Sequence, residues 1–116
     1  MTPRLLLHLE GAALLAATLA AYHLEHGSWL LFAILFITPD LSMIGYALNV
    51  RVGAAAYNAI HTTIGPLALA AFAVITGNHT ALLLALIWLA HIGFDRLLGY
   101  GLKYPTQFRD THLGRV

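Results

Sequence analysis

The chain has 116 residues, of which 59% are hydrophobic and only 9% charged, and its mean hydropathy is +0.77. A soluble domain carries about 25% charged residues, so this balance excludes one. A formal net charge of +1 without a basic cluster excludes a nucleic-acid partner, and the absence of cysteine excludes disulfides and thiolate metal sites. The length fits four spans of about 20 residues with short connections, so the expected fold is all-α, one integral membrane bundle of four transmembrane helices over residues 1–116, with the lipid bilayer as partner.

The first expected span covers residues 5–22. Arg4 and the leucine-rich run after it look like a signal peptide, but His8 and Glu10 interrupt the apolar core such a peptide needs, so the segment reads as a retained helix. Gly11, Ala12, Ala16 and Ala20 give it a small-residue face suited to close helix packing, including self-association or a place in a larger membrane complex. His23, Glu25, His26 and Gly27 form a polar loop, and Trp29 marks the next membrane interface.

The second span, 29–48, contains Thr38-Pro39-Asp40. Pro39 cannot donate to the carbonyl four residues back, and Thr-Pro-Asp has the form of a helix start with Thr38 as N-cap. A break here would expose the Asp40 carboxylate to the bundle interior. In the third span, 53–75, Tyr57, Asn58 and His61 share one face, and Pro66 frees the carbonyl of Thr62, which predicts a kink. Gly77-Asn78-His79 makes a turn before the fourth span, 80–100. That span ends in a stretch where His91 and Asp95, four apart, share a face and Arg96 points about 100° away. Residues 103–116 form a polar tail.

With four antiparallel spans, Arg4, Arg51, Arg96, Lys103, Arg109 and Arg115 all fall on one side. The positive-inside rule then makes both termini cytoplasmic and the membrane an inner one. The same alternation sets Glu10, Asp40, Asn58, His61, His91 and Asp95 at one depth, in the cytoplasmic half. Ionisable groups at membrane depth are costly and default to a functional site.

Carboxylates and imidazoles converging from several helices are how bundles hold metals. Asp40, His61, His91 and Asp95 are the expected ligands, for zinc, or for iron or manganese where both carboxylates engage. A bound metal lowers the pKa of its water to about 7 and so supplies a hydrolytic nucleophile. Glu10, Asp40, His91 and Asp95 are accordingly the catalytic candidates, and Asn58, Tyr57, Arg96 and His112 the substrate-binding ones, with His112 brought over the cluster by the tail. The competing reading is a structural or accessory subunit whose polar residues only bind helices together. A proton relay would need polar groups in the outer half, which has few, and haem ligation by His61 and His91 sits poorly with two aspartates.

The chain resembles a family of small bacterial membrane proteins catalogued as domain of unknown function 4260. The resemblance rests on Leu9-Glu10-Gly11, on Pro39-Asp40-Leu41 with Gly45-Tyr46, and on Tyr57-Asn58 with His61. It continues in His91-Ile92-Gly93-Phe94-Asp95-Arg96, Gly99-Tyr100-Gly101-Leu102-Lys103, and Phe108 with Thr111-His112-Leu113-Gly114. It implies a multi-helix membrane protein and no particular activity. A fainter similarity, to membrane-bound metal-dependent hydrolases, lies in the Pro-Asp pair with intramembrane histidines, although Ser42 stands where those proteins have a second acid.

Overall fold

The architecture is set by where helices are allowed to continue and where proline stops them. The computed structural model describes residues 2–116 as α1 (Pro3–Leu24), α2 (Trp29–Leu35), a 3-10 helix η1 (Thr38–Ala47), α3 (Val50–His61), α4 (Ile64–Thr76), α5 (His79–Leu98) and the short α6 (His112–Arg115). Four segments are long and apolar enough to cross a membrane: Pro3–Leu24, Trp29–Ala47, Val50–Thr76 and His79–Leu98. The protein is therefore an all-helical membrane bundle. Side chains of Thr2, Ser28, Asn49 and Asn78 accept the orphan N–H groups that open α1, α2, α3 and α5.

α5 is the central helix: 56% of its apolar window is buried, against 17% or less for the other three spans. Those three present Leu6, Leu9, Leu30, Ile44, Phe72 and Ile75 outward, the surface lipid would cover. Contact between helices in lipid depends on close packing rather than on escape from water, and glycine makes the tightest crossing. A Cβ on Gly93 would stand 2.8 Å from the Leu15 nitrogen, and one on Gly11 2.6 Å from the Leu97 nitrogen, so α1 and α5 touch backbone to backbone.

Two of the four spans are discontinuous. In the second, Pro39 leaves the Leu35 carbonyl without its helical donor, and the Thr38 hydroxyl donates to it instead at 2.7 Å. Thr38 is thus not the N-cap that its sequence context predicts: its hydroxyl turns back to mend the preceding helix. Beyond it the chain winds as a 3-10 helix of 10 residues, where such runs seldom exceed three or four. The third span does more than kink. Thr62 is extended (φ −85°, ψ 151°), and α3 and α4 are separate helices.

Broken helices at membrane depth are tolerated where protein groups re-satisfy the freed carbonyls. Here α5 supplies the donors. His91 Nδ1 donates to the Phe36 carbonyl at 2.6 Å, Trp88 Nε1 to that of Ile60 at 2.7 Å, and Arg96 Nη2 to that of His61 at 2.9 Å.

α5 stops two residues earlier than the expected span. Gly99 takes a left-handed conformation (φ +99°), and Tyr100 N–H returns to the Asp95 carbonyl. The turn sends the tail back over the bundle. There Asn58 holds the main chain of Lys103 from both sides, Nδ2 donating to its carbonyl at 2.7 Å and Oδ1 accepting its N–H at 2.6 Å.

Candidate metal centre

The two breaks deliver Asp40 and His61, and one turn of α5 delivers His91 and Asp95. Both histidines are tautomerically fixed. His61 Nδ1 meets the Tyr57 carbonyl at 2.9 Å and His91 Nδ1 that of Phe36 at 2.6 Å. A carbonyl only accepts, so each Nδ1 carries the hydrogen and each Nε2 of the neutral ring presents a lone pair. The Tyr57 ring stacks flat on His61, centroids 3.7 Å apart at 4°, and locks its plane.

Those lone pairs converge. The two Nε2 atoms are 3.3 Å apart. Asp40 Oδ1 is 3.3 Å from His61 Nε2 and 3.2 Å from His91 Nε2, and Asp95 Oδ2 is 3.5 and 3.2 Å from the same two atoms. All four ligand atoms lie within 4.8 Å of one another. A tetrahedron with metal–nitrogen distances of about 2.05 Å has edges of about 3.3 Å, so these five separations match a first-row metal site. With both rings neutral these are four acceptors facing one another, a conflict that a cation between them removes. The imidazole N–H groups bonded to backbone carbonyls are the usual outer support of metal-ligating histidines. Two carboxylates and two neutral imidazoles also balance a divalent ion, which suits a low-dielectric interior.

The centre has a closed and an open side. His61 and His91 are buried, at 3% and 2% exposure, whereas the Asp40 side chain is 38% exposed. Asp40 and Asp95 line a cavity of about 240 Å³ that also has Tyr57, Met43, Lys103 and Phe108 in its walls. The carboxylate edge is therefore the one a substrate would meet.

The remaining candidates distribute as follows. Asp40, His61, His91 and Asp95 come together and Tyr57 packs on them. Glu10 does not join them: it is exposed on α1 and lines a separate cavity with Arg96 and His112. Equal depth along the helices gives height in the bundle but not direction around the helix. Asn58 has both ends of its amide engaged on the Lys103 backbone, and Arg96 donates to the His61 carbonyl from behind the ligands. His112 accepts the Leu102 N–H at 2.9 Å, and its Nε2 lies 3.4 Å from Arg96 Nη1, in the Glu10 cavity and away from the cluster. Burial and the Arg96 charge both lower its pKa.

Sequence reasoning missed Lys103, Phe108 and Met43 as parts of the cavity. Lys103 is only 6% exposed, and burial lowers its pKa. The Gly99-Tyr100-Gly101 turn signal in front of it was the available hint that the chain doubles back.

The profile of the family described as Domain of unknown function (DUF4260) matches residues 4–116. No curated protein and no solved structure matches the chain. The chain belongs to that family.

Proposed function

We propose that this member of the DUF4260 family is a metal-dependent protein of the bacterial inner membrane, and that its centre hydrolyses an amphiphilic substrate at the cytoplasmic leaflet. The observation that carries the reading is the convergence of two imidazole Nε2 atoms and two carboxylate oxygens, five of whose separations lie between 3.2 and 3.5 Å. Zinc fits the two imidazoles and two carboxylates, and iron or manganese fits where an aspartate binds through both oxygens. The buried imidazole side holds the ion. The carboxylate side faces the cavity; an ion held by His61, His91 and Asp95 would have its fourth position open there to a water, and the part-exposed Asp40 would take that water's proton.

The placement of all six basic side chains on one side of the membrane supports cytoplasmic termini. The non-catalytic alternative, a subunit held together by polar contacts, is favoured by the bonds of Trp88 and Arg96, which act on backbone carbonyls and not on the centre.

Metal analysis of protein purified without chelator separates the two readings. Stoichiometric metal in the wild type, lost from His91→Ala and from Asp95→Ala with the helical fold retained, is the expected result. A folded wild type that neither carries metal nor takes it up would sink the metal reading and leave the structural one standing. Hydrolysis is read separately, as ester cleavage stopped by a chelator and restored by added zinc.

A further inference from the structure

Lys103 is only 6% exposed and its ammonium, open to the cavity it shares with Asp40 and Asp95, pairs with neither carboxylate within 4 Å. Its ammonium lies 3.8 Å from the Phe108 ring centroid and 4.8 Å from that of Tyr57. Among the described residues its ammonium has no salt bridge and no hydrogen-bond acceptor. Aromatic faces attract a cation but offer no acceptor for its N–H groups, which stay free toward the cavity. A site that holds a cation this way is preorganised for an anion.

The position of Lys103 gives the anion its surroundings. Lys103 and Phe108 belong both to the cavity at the carboxylate edge and to a larger neighbouring cavity of about 720 Å³. That larger cavity adds Arg4, His8 and Arg109. Half of the chain's six lysines and arginines therefore surround one space. Its wall at the centre is acidic, and an anion would be repelled there unless the two aspartates were neutralised by a divalent ion.

We propose that Lys103 is the anion-recognition residue of the centre and that the two cavities meeting at it receive a phosphate monoester, its phosphate on the Lys103 ammonium beside the carboxylate edge. The proposal rests on the metal reading, because only an occupied centre makes the shared cavity cationic. Phosphate is favoured over a lone carboxylate because the larger cavity adds Arg109 and also Arg4, one of whose nitrogens is engaged on the Gly114 and Val116 carbonyls, enough cation for a dianion. The aromatic and methionine walls suit the apolar part of such a molecule.

The test measures binding of labelled inorganic phosphate to purified protein in neutral detergent by equilibrium dialysis, with metal content determined in every sample. Wild type, Lys103→Met and Lys103→Gln are compared, the glutamine variant keeping a polar chain should methionine impair folding. The expected result is phosphate bound by the metal-loaded wild type and bound about tenfold or more weakly by the loaded variants. Equal binding by loaded wild type and loaded variants would overturn the role of Lys103 while leaving the metal centre intact. A wild type that holds no metal would overturn both. Bicelles of phosphatidylcholine containing phosphatidic acid then separate the sources. Displacement of the bound phosphate by these, and not by phosphatidylcholine alone, assigns a lipid headgroup. Phosphate that neither bicelle displaces assigns a soluble phosphate monoester.

Discussion

Replacing Pro39 with alanine returns an N–H to position 39 and removes the ring that keeps α2 from continuing. The Leu35 carbonyl, now satisfied by the Thr38 hydroxyl, would regain its helical donor, and the Asp40 N–H would move from the Ile37 carbonyl to that of Phe36. Phe36 is the acceptor that fixes the His91 tautomer, so the orienting bond acquires a competitor. The carboxylate moves too. An α-helix turns about 100° per residue and a 3-10 helix about 120°. Rewinding Ile37 to Asp40 therefore rotates Asp40 by about 60°, enough to carry an oxygen now 3.2 Å from His91 Nε2 out of coordination range. Loss of an outer orienting partner alone costs about 10–100-fold in metal affinity, and losing Asp40 as well makes about 100-fold the lower bound. Competition against a chromophoric chelator reads the affinity, and circular dichroism reads the helix gained. Proline costs a helix interior about 3 kcal/mol relative to alanine, so the variant should stay folded and the loss should not reflect unfolding. A Pro39→Ala protein with a continuous second helix and wild-type metal affinity would refute the link between the break and the centre.

Two further outcomes follow from the tail and the topology. The folded-state pKa of His112 lies below the ordinary 6.5 because of burial and the Arg96 charge. The unfolded chain then binds more protons, and stability is lost as pH falls below 6.5 toward the folded value. Unfolding in detergent followed against pH should show this loss and His112→Gln should flatten it; an unchanged slope in the variant would place the proton elsewhere. Cysteines introduced at Arg51 and at His79 should be labelled from opposite faces of the membrane, and labelling of both from one face would overturn the orientation.

The clustering of Asp40, His61, His91 and Asp95 was legible because their cost in lipid singles them out and helical spacing pairs them: His91 with Asp95 by four residues, and His61 on the face of Tyr57. Pro39 and Pro66 announced the breaks, since a missing N–H is a local fact. How far each break propagates is not local. The 3-10 winding through Ala47 and the extended Thr62 depend on donors that α5 provides from 28 to 55 positions away, and no pattern within the second or third span encodes them. Glu10 was grouped with the cluster because depth can be read from sequence while azimuth around the bundle cannot. Lys103 was read as a topology marker because its role depends on the left-handed Gly99 and on Asn58, whose contact spans 45 positions.

The three bonds from α5 to the freed carbonyls also bear on how the chain is made. Phe36, Ile60 and His61 are synthesised before Trp88, His91 and Arg96, and an unsatisfied carbonyl in hydrocarbon costs several kcal/mol. Until the last span enters, the second and third lack the partners that hold them broken, and straighter or shallower arrangements compete. Insertion of the final helix thus completes the fold of its predecessors and, in the same step, brings His91 and Asp95 to Asp40 and His61, so that the cluster and the finished bundle appear together.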